Sequence, residues 1–151
     1  AGTALLVVAP SSAKAVSASL TSAFDSRRTV FSNEIALVSV MSRTVEAARQ
    51  PLGAKRFAKE MMATEYGWDE EQYKCLNRLW TKESHWNYKA HNYRSGAHGI
   101  AQALPAVKME VISDDWRTNP VTQIRWGLRY IDLRYEDPCT AWAKFKRSRY
   151  Y

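Results

Sequence analysis

The fold is decided by the stretch Leu76-Asn-Arg-Leu-Trp-Thr-Lys-Glu-Ser-His-Trp-Asn87. As a helix, it places Leu76, Leu79 and Trp80 at i, i+3 and i+4 of one apolar face, and position i+7 of that face is Glu83. Burial among aromatic side chains disfavours a charged carboxyl and raises its pKa, which suits a general acid. The alternative is an ordinary charge at a frayed helix end. Spacing by itself favours that alternative, because most Glu residues lie on the surface.

The flanking residues set the ends of this helix. Gly67 is expected to interrupt helical structure, and Asp69 followed by Gln72 resembles a capping box. We therefore expect a helix from about Glu70 to Glu83 or Ser84. Residues 87–99 are rich in Gly, Asn, Ser and His without a helical stripe, which predicts a loop.

Three further helices are expected after this loop. Pro105 can open a short helix that reaches about Ile112. The triplet Thr118-Asn119-Pro120 is a strong helix start, and its helix has an apolar stripe formed by Ile124, Leu128, Ile131 and Tyr135. A turn at Asp137-Pro138 precedes a last helix that carries Cys139 and Trp142.

The residues before Gly67 predict helices without catalytic groups. Residues 16–28 form a poorly specified helix or a tether, and residues 30–50 carry a clearer helical stripe. Pro51 and Gly53 are expected to end that helix, and a second helix should run from Ala54 to about Glu65. We interpret residues 16–65 as a helical N-terminal extension that braces the rest of an all-α protein.

The first residues bear on localisation. Residues 1–9 are apolar but far too few to span a membrane, and Ala13-Lys14-Ala15 has the A-x-A form of a signal-peptidase site. The alternative is a frayed apolar terminus. We interpret residues 1–15 as a signal-peptide remnant, which predicts a secreted protein without a transmembrane segment.

Composition narrows the partners but does not select one. The chain of 151 residues has a net charge of +7, which favours nucleic acid, an anionic membrane or an anionic cell-wall polymer. No Gly-rich phosphate loop or nucleophile elbow is present. His85, His91 and His98 lack metal-ligand spacing on a helix face, so we expect neither a metal nor another cofactor. A monomer is expected.

The two cysteines, Cys75 and Cys139, leave two alternatives open. They can form one disulfide or remain two buried thiols. A disulfide would close a loop of about 64 residues, stabilise the fold by roughly 4 kcal/mol and indicate an oxidising, extracytoplasmic location.

Several motifs between residues 66 and 151 resemble a known family. They are Trp80-Thr-Lys-Glu-Ser-His-Trp-Asn87, Ser95-Gly-Ala-His-Gly-Ile-Ala-Gln-Ala-Leu-Pro105, Asp115-Trp-Arg-Thr-Asn-Pro120, Gln123-Ile-Arg-Trp-Gly127 and Pro138-Cys-Thr-Ala-Trp142. Together they resemble the soluble lytic transglycosylase domain of peptidoglycan-cleaving enzymes, and most closely its secreted actinobacterial branch. The resemblance implies a lysozyme-like helical fold of the goose-type and lytic transglycosylase kind, and it includes Cys75.

The family has a single catalytic Glu that ends a helix in a Glu-Ser pair, which here is Glu83-Ser84. The resemblance implies cleavage of the β-1,4 bond between N-acetylmuramic acid and N-acetylglucosamine in peptidoglycan strands, with a 1,6-anhydromuramic product. It also implies a cleft lined by Gln102, with Ser84 near the carboxyl or a substrate oxygen and Tyr130 as a candidate cleft hydroxyl. Ser84 could instead cap the helix, and Tyr130 could belong to the core.

This chain departs from the family pattern at three positions. His98 replaces the usual Tyr beside the cleft, Ala101 replaces Pro or Met, and His85 stands where Gly is common. His98 adds a titratable group that could alter the sugar contact or the pH optimum.

The alternatives to a transglycosylase are a hydrolytic muramidase, which would use a second carboxylate, and a cell-wall-binding module without turnover. A nucleic-acid binder lacks a recognised readout motif, so no specific nucleic acid is expected.

Overall fold

The chain is mostly helical. In the computed structural model, the backbone of residues 12–151 is described, and side chains are described from residue 17 onward. This part of the chain contains α-helices, one π-helical turn and one 3-10 helix, with isolated bridges at His91, His98 and Ala103 in place of a β-strand. The predicted all-α class is therefore confirmed. Within the described range, none of the helices combines the length and the apolar character that a membrane span requires.

The first compact unit ends at Val40, and its described part is one stretch of helix. Helix α1 runs unbroken over Ser12–Ala48, so the tether considered for residues 16–28 is absent. Residues 17–40 are exposed, including apolar Phe31 and Ile35, each with 67% of its surface accessible. The predicted signal-peptide remnant, residues 1–15, lies outside the residues whose side chains are described.

The second unit, Met41–Tyr151, contains the core. Helix α2 covers Pro51–Met61 and begins three residues before the predicted start, because Pro51 occupies its first turn. A π-helical turn, Met62–Tyr66, continues it to Gly67, whose φ of 64° ends the segment in the left-handed region.

Helix α3, Glu70–Ser84, has the predicted boundaries. The Asp69 carboxylate accepts a hydrogen bond of 3.1 Å from the backbone N–H of Gln72 and caps its first turn. Leu76, Leu79 and Trp80 are fully buried, which confirms the stripe that the spacing predicted.

The remaining elements follow the predicted order. A 3-10 helix, Ala106–Val111, takes the place of the expected short helix after Pro105. Helix α4 covers Pro120–Tyr135 and is capped by the Asn119 side chain, and helix α5 covers Pro138–Ser148 and is capped by Asp137.

Helix α3 is joined covalently to α5. Cys75 and Cys139 form a disulfide with their Cα atoms 4.9 Å apart, which confirms that alternative. The Gln72 side chain also accepts a hydrogen bond of 2.9 Å from the backbone N–H of Cys139. The catalytic candidate Glu83 therefore lies on a helix that is fixed at its middle and start by α5.

Candidate active site

A cavity of about 240 Å³ opens beside the C-terminal end of α3. Its described lining includes three predicted site residues, Glu83, Gln102 and Tyr130. The other lining residues come from the loop after α3, from α4 and from the segment after α5: Asn92, Ser95, Ala97, Ala101, Leu104, Trp126, Arg149, Tyr150 and Tyr151.

Glu83 is the acid of this cavity. It is half-buried, and burial raises its pKa from the ordinary 4.5 to about 7. None of the ion pairs formed between described residues involves Glu83, and burial is the cause of its raised pKa. A carboxyl with this pKa keeps its proton in about half of the molecules at neutral pH, which a general acid requires.

The chain turns sharply after Glu83, and His85 adopts a backbone conformation there that Gly would adopt more easily. His85 has a φ of 54° and Trp86 a φ of 60°, both in the left-handed region that Gly adopts most easily. His85, the position where Gly is common, is the C-cap of α3. Trp86 is buried against Trp80 and donates a hydrogen bond of 3.0 Å from Nε1 to the Asn77 side chain.

Ser84 lies outside the cavity lining. Its buried hydroxyl donates to the backbone carbonyl of Ile100 at 2.6 Å and also lies 3.4 Å from the carbonyl of Trp80. The residue beside Glu83 thus fixes the end of α3 to the loop that carries Gln102.

Gln102 belongs to the part of the lining that the loop after α3 contributes. Its Nε2 donates to the carbonyls of Gly99 at 2.9 Å and Ala90 at 3.2 Å. Because the nitrogen end of the amide is engaged by the loop, the oxygen end is the one that can accept a hydrogen bond from a ligand. Gln102 has a φ of 50°, so the loop holds it in an uncommon backbone conformation.

This loop is held by Gln123, a residue that the sequence reading did not select. Gln123 is fully buried on α4, and its Oε1 accepts from the backbone N–H of Ile100 at 3.0 Å. Its Nε2 donates to the carbonyls of Trp116 at 2.9 Å and Tyr88 at 3.0 Å. Gln123 is next to Ile124, the first residue of the predicted apolar stripe, and a buried side-chain amide needs hydrogen-bond partners of this kind.

Tyr130 forms the α4 side of the cavity. Its ring stacks on Trp126 with centroids 5.1 Å apart and contacts the edge of Tyr135 at 6.1 Å. Burial, followed by the neighbouring Tyr135, raises the pKa of the Tyr130 hydroxyl, which therefore stays neutral at physiological pH. A neutral phenol beside an aromatic face can contact a sugar ring and donate a hydrogen bond.

Tyr151 completes the lining, and the sequence reading missed it. Its hydroxyl accepts a hydrogen bond of 3.0 Å from Trp80 Nε1 and donates one of 3.1 Å to the carbonyl of Ala101. No local signal pointed to this residue, because it follows a basic segment and contacts Trp80 across 71 positions of sequence.

His98 lies away from the described lining. Its Nδ1 is 3.3 Å from Nδ1 of His91, its Nε2 is 3.3 Å from the carbonyl of Arg117, and its ring edge packs on Trp116. Burial lowers its pKa, although the Arg117 carbonyl acts in the opposite direction. Its side chain thus packs the loop.

A second carboxylate is missing from the lining as far as it is described. Asp115 accepts hydrogen bonds from Thr122 Oγ1 at 2.7 Å and Asn119 Nδ2 at 2.8 Å. Partial burial alone would raise the pKa of Asp115, but these bonds and one from Ser113 outweigh it and lower the pKa. Asp115 therefore stabilises the start of α4.

Two other possibilities for a site are weaker. Among the described residues, no group of three or more His, Cys, Asp or Glu side chains could hold a metal ion. A wider depression of about 900 Å³ lies along α1 near Phe24, Arg27 and Phe31, but it is open to solvent and its lining residues are exposed. The cavity at Glu83, by contrast, places a half-buried carboxyl against polar and aromatic groups.

Comparison of the chain with protein-family models, with curated proteins and with solved structures finds no match. The family of residues 66–151 therefore remains a prediction from the motifs quoted above.

Proposed function

We propose that the chain cleaves the β-1,4 glycosidic bond between N-acetylmuramic acid and N-acetylglucosamine in peptidoglycan, as a lytic transglycosylase with a lysozyme-like fold. The observation that carries the proposal is Glu83, a half-buried carboxyl with a pKa of about 7 in a cavity with polar and aromatic walls. The motifs from Trp80 to Trp142 support the same assignment.

Glu83 acts in both steps of the proposed reaction, first as the acid and then as the base. Protonated Glu83 donates to the glycosidic oxygen while the bond from that oxygen to C1 of the muramyl sugar breaks. The N-acetyl group of the same sugar stabilises the positive charge that develops at C1. Its 6-hydroxyl then attacks C1 and gives its proton to the Glu83 carboxylate, which closes the 1,6-anhydro ring and restores the acid without consuming water.

The charge distribution in the cavity favours this route over hydrolysis. An inverting muramidase needs a second carboxylate about 6.5–9.5 Å away, on the opposite face of the sugar, to activate water. Within the described lining, Glu83 is the one carboxylate. The carboxylate of Asp115, which is outside that lining, already accepts hydrogen bonds from Asn119 and Thr122.

Binding of the sugar is assigned to Gln102 in the loop and Tyr130 on α4. The free end of the Gln102 amide can accept from the N–H of an N-acetyl group, and Tyr130 offers a hydroxyl and an aromatic face. Ser84 and His98 act indirectly in this proposal, because their side chains fix the loop that presents Gln102.

An extracytoplasmic location belongs to the same proposal. The disulfide between Cys75 and Cys139 is typical of oxidising compartments. The net charge of +7 suits the anionic polymers of a cell wall. The wall strand would be the substrate, and no cofactor takes part.

The test compares purified wild type, Glu83→Gln and Glu110→Gln on insoluble peptidoglycan at pH 6. Glu110 is an exposed carboxylate in the 3-10 helix and makes a matched control. We expect release of soluble fragments by the wild type and by Glu110→Gln, and a loss of at least about a hundredfold in Glu83→Gln. Equal release of fragments by wild type and Glu83→Gln would reject Glu83 as the catalytic acid, and no release by the wild type would leave a cell-wall-binding module.

A further inference from the structure

Tyr151 connects two walls of the Glu83 cavity. Its hydroxyl accepts from Trp80 Nε1 on α3 at 3.0 Å and donates to the carbonyl of Ala101 in the loop at 3.1 Å. Trp80 lies three residues before Glu83 and is fully buried, and Ala101 precedes Gln102. One hydroxyl therefore links helix α3, which carries Glu83, to the loop that carries Gln102.

The ring of Tyr151 packs among aromatic side chains at the same cavity. It contacts Tyr130 edge to face at 5.9 Å and Tyr135 at 6.1 Å, and it lines the cavity together with Glu83. Burial, followed by the charge of Glu83, raises the pKa of the Tyr151 hydroxyl well above its usual value. The hydroxyl is thus neutral wherever Glu83 titrates, and it can serve as donor and acceptor at once.

We propose that Tyr151 is a positioning residue that closes the base of the cavity: its two hydrogen bonds fix the ring against Trp80 and Ala101, and the ring excludes water from Glu83. The burial of Glu83 then depends on a residue 68 positions away along the chain. A role of Tyr151 in catalysis rests on the proposed function. Its effect on the pKa of Glu83 can be measured without a substrate.

Three variants separate the ring from the hydroxyl. Tyr151→Ala removes both, Tyr151→Phe keeps the ring and removes the hydroxyl, and Tyr93→Ala is a control because Tyr93 is 94% exposed and outside the described lining. If Tyr151→Ala does not fold, Tyr151→Leu replaces it, since Leu keeps an apolar side chain but fills less of the space.

The first measurement is a carbon-13 NMR titration of the Glu83 carboxyl, assigned by its absence in Glu83→Gln. We expect a midpoint near 7 in wild type and Tyr93→Ala. In Tyr151→Ala, water should reach the carboxyl and move the midpoint toward 4.5, by about one pH unit or more. Tyr151→Leu should move it in the same direction by less. Tyr151→Phe should move it least, because the ring keeps its contacts with Tyr130 and Tyr135 but loses both hydrogen bonds.

The second measurement is the pH profile of kcat/KM on peptidoglycan fragments. The limb that falls as Glu83 loses its proton should move to lower pH in Tyr151→Ala, which lowers the rate at pH 7 by about fivefold for a displacement of one pH unit. Tyr151→Phe should move the limb least of the three Tyr151 variants, with a lower kcat because Trp80 and Ala101 lose a shared partner.

A Glu83 midpoint that does not move in folded Tyr151→Ala or Tyr151→Leu would overturn the inference. A displacement in Tyr151→Phe as large as that in Tyr151→Ala would also overturn it, because the ring is still present. If the wild type has no activity but the NMR midpoints behave as expected, the proposed function fails and the inference about Tyr151 stands.

Discussion

Raising the pH should destabilise the wild-type protein relative to Glu83→Gln. The pKa of Glu83 is about 7 in the folded protein, and the ordinary value of 4.5 applies when the chain unfolds. The folded state therefore holds this proton more tightly than the unfolded state does. The stability that this provides is complete below pH 4.5 and is lost as the pH rises through about 7, whereas Gln has no charge to bury.

The size of this loss of stability follows from the difference between the folded and unfolded pKa values of Glu83. Each pH unit between 4.5 and 7 lowers the free energy of unfolding by at most ~1.4 kcal/mol. Glu83 is only half-buried, so solvent screening reduces the total, and we expect about 1–2 kcal/mol over the whole range. For a domain of this size, that corresponds to a difference in Tm of roughly 4–8 °C.

The assay is thermal unfolding followed by circular dichroism at pH 5 and pH 8. The change in Tm between the two pH values is measured for wild type, Glu83→Gln and the control Glu110→Gln. We expect the wild type and Glu110→Gln to lose more stability than Glu83→Gln by the amount above. Parallel losses in wild type and Glu83→Gln would refute the claim that burial of Glu83 raises its pKa.

Two further predictions concern how α3 is held. Replacement of both Cys75 and Cys139 by Ser should lower the free energy of unfolding by about 4 kcal/mol, measured by urea titration. A loss below about 1 kcal/mol would contradict the idea that the disulfide stabilises the fold by restricting the unfolded chain. In Gly127→Ala, the added Cβ would lie 2.6 Å from a ring atom of Trp80 and 2.9 Å from the Cβ of Ala101. The crowding should cost about 1–3 kcal/mol, which exceeds the gain in helix propensity, and a variant as stable as the wild type would show that the core can yield.

The sequence is most informative where the signal is local. Helix α3 has its predicted ends because Asp69 caps the first turn and the stripe from Leu76 to Trp80 runs on one face. The start of α4 at Pro120 likewise follows from the capping side chain of Asn119. The position of Glu83 on the buried face is also a property of spacing within one helix.

The sequence is less informative where contacts join residues far apart along the chain, or where a side chain can serve more than one purpose. The contact between Tyr151 and Trp80 is made by tertiary packing alone, across 71 positions of sequence. Ser84 was considered for the cleft, but its hydroxyl bonds to Ile100, which the loop brings close.

Helix α1 shows the reverse problem. Residues 16–28 are rich in Ser, which has only moderate helix propensity, but Ala favours helix, no Pro or Gly interrupts the segment, and α1 continues through it. The apolar stripe at Phe31 and Ile35 predicted a helix correctly. It was a poor guide to burial, because both side chains are exposed.

The most direct test of the account is mass spectrometry of the fragments that the wild-type protein releases from purified peptidoglycan. We predict muropeptides that end in 1,6-anhydromuramic acid, lighter by one water than the corresponding reducing-end fragments and absent from digests with Glu83→Gln. Reducing-end fragments from the wild type would contradict the transglycosylase reaction and indicate a hydrolytic muramidase, and no fragments at all would contradict the role of Glu83 as a catalytic acid.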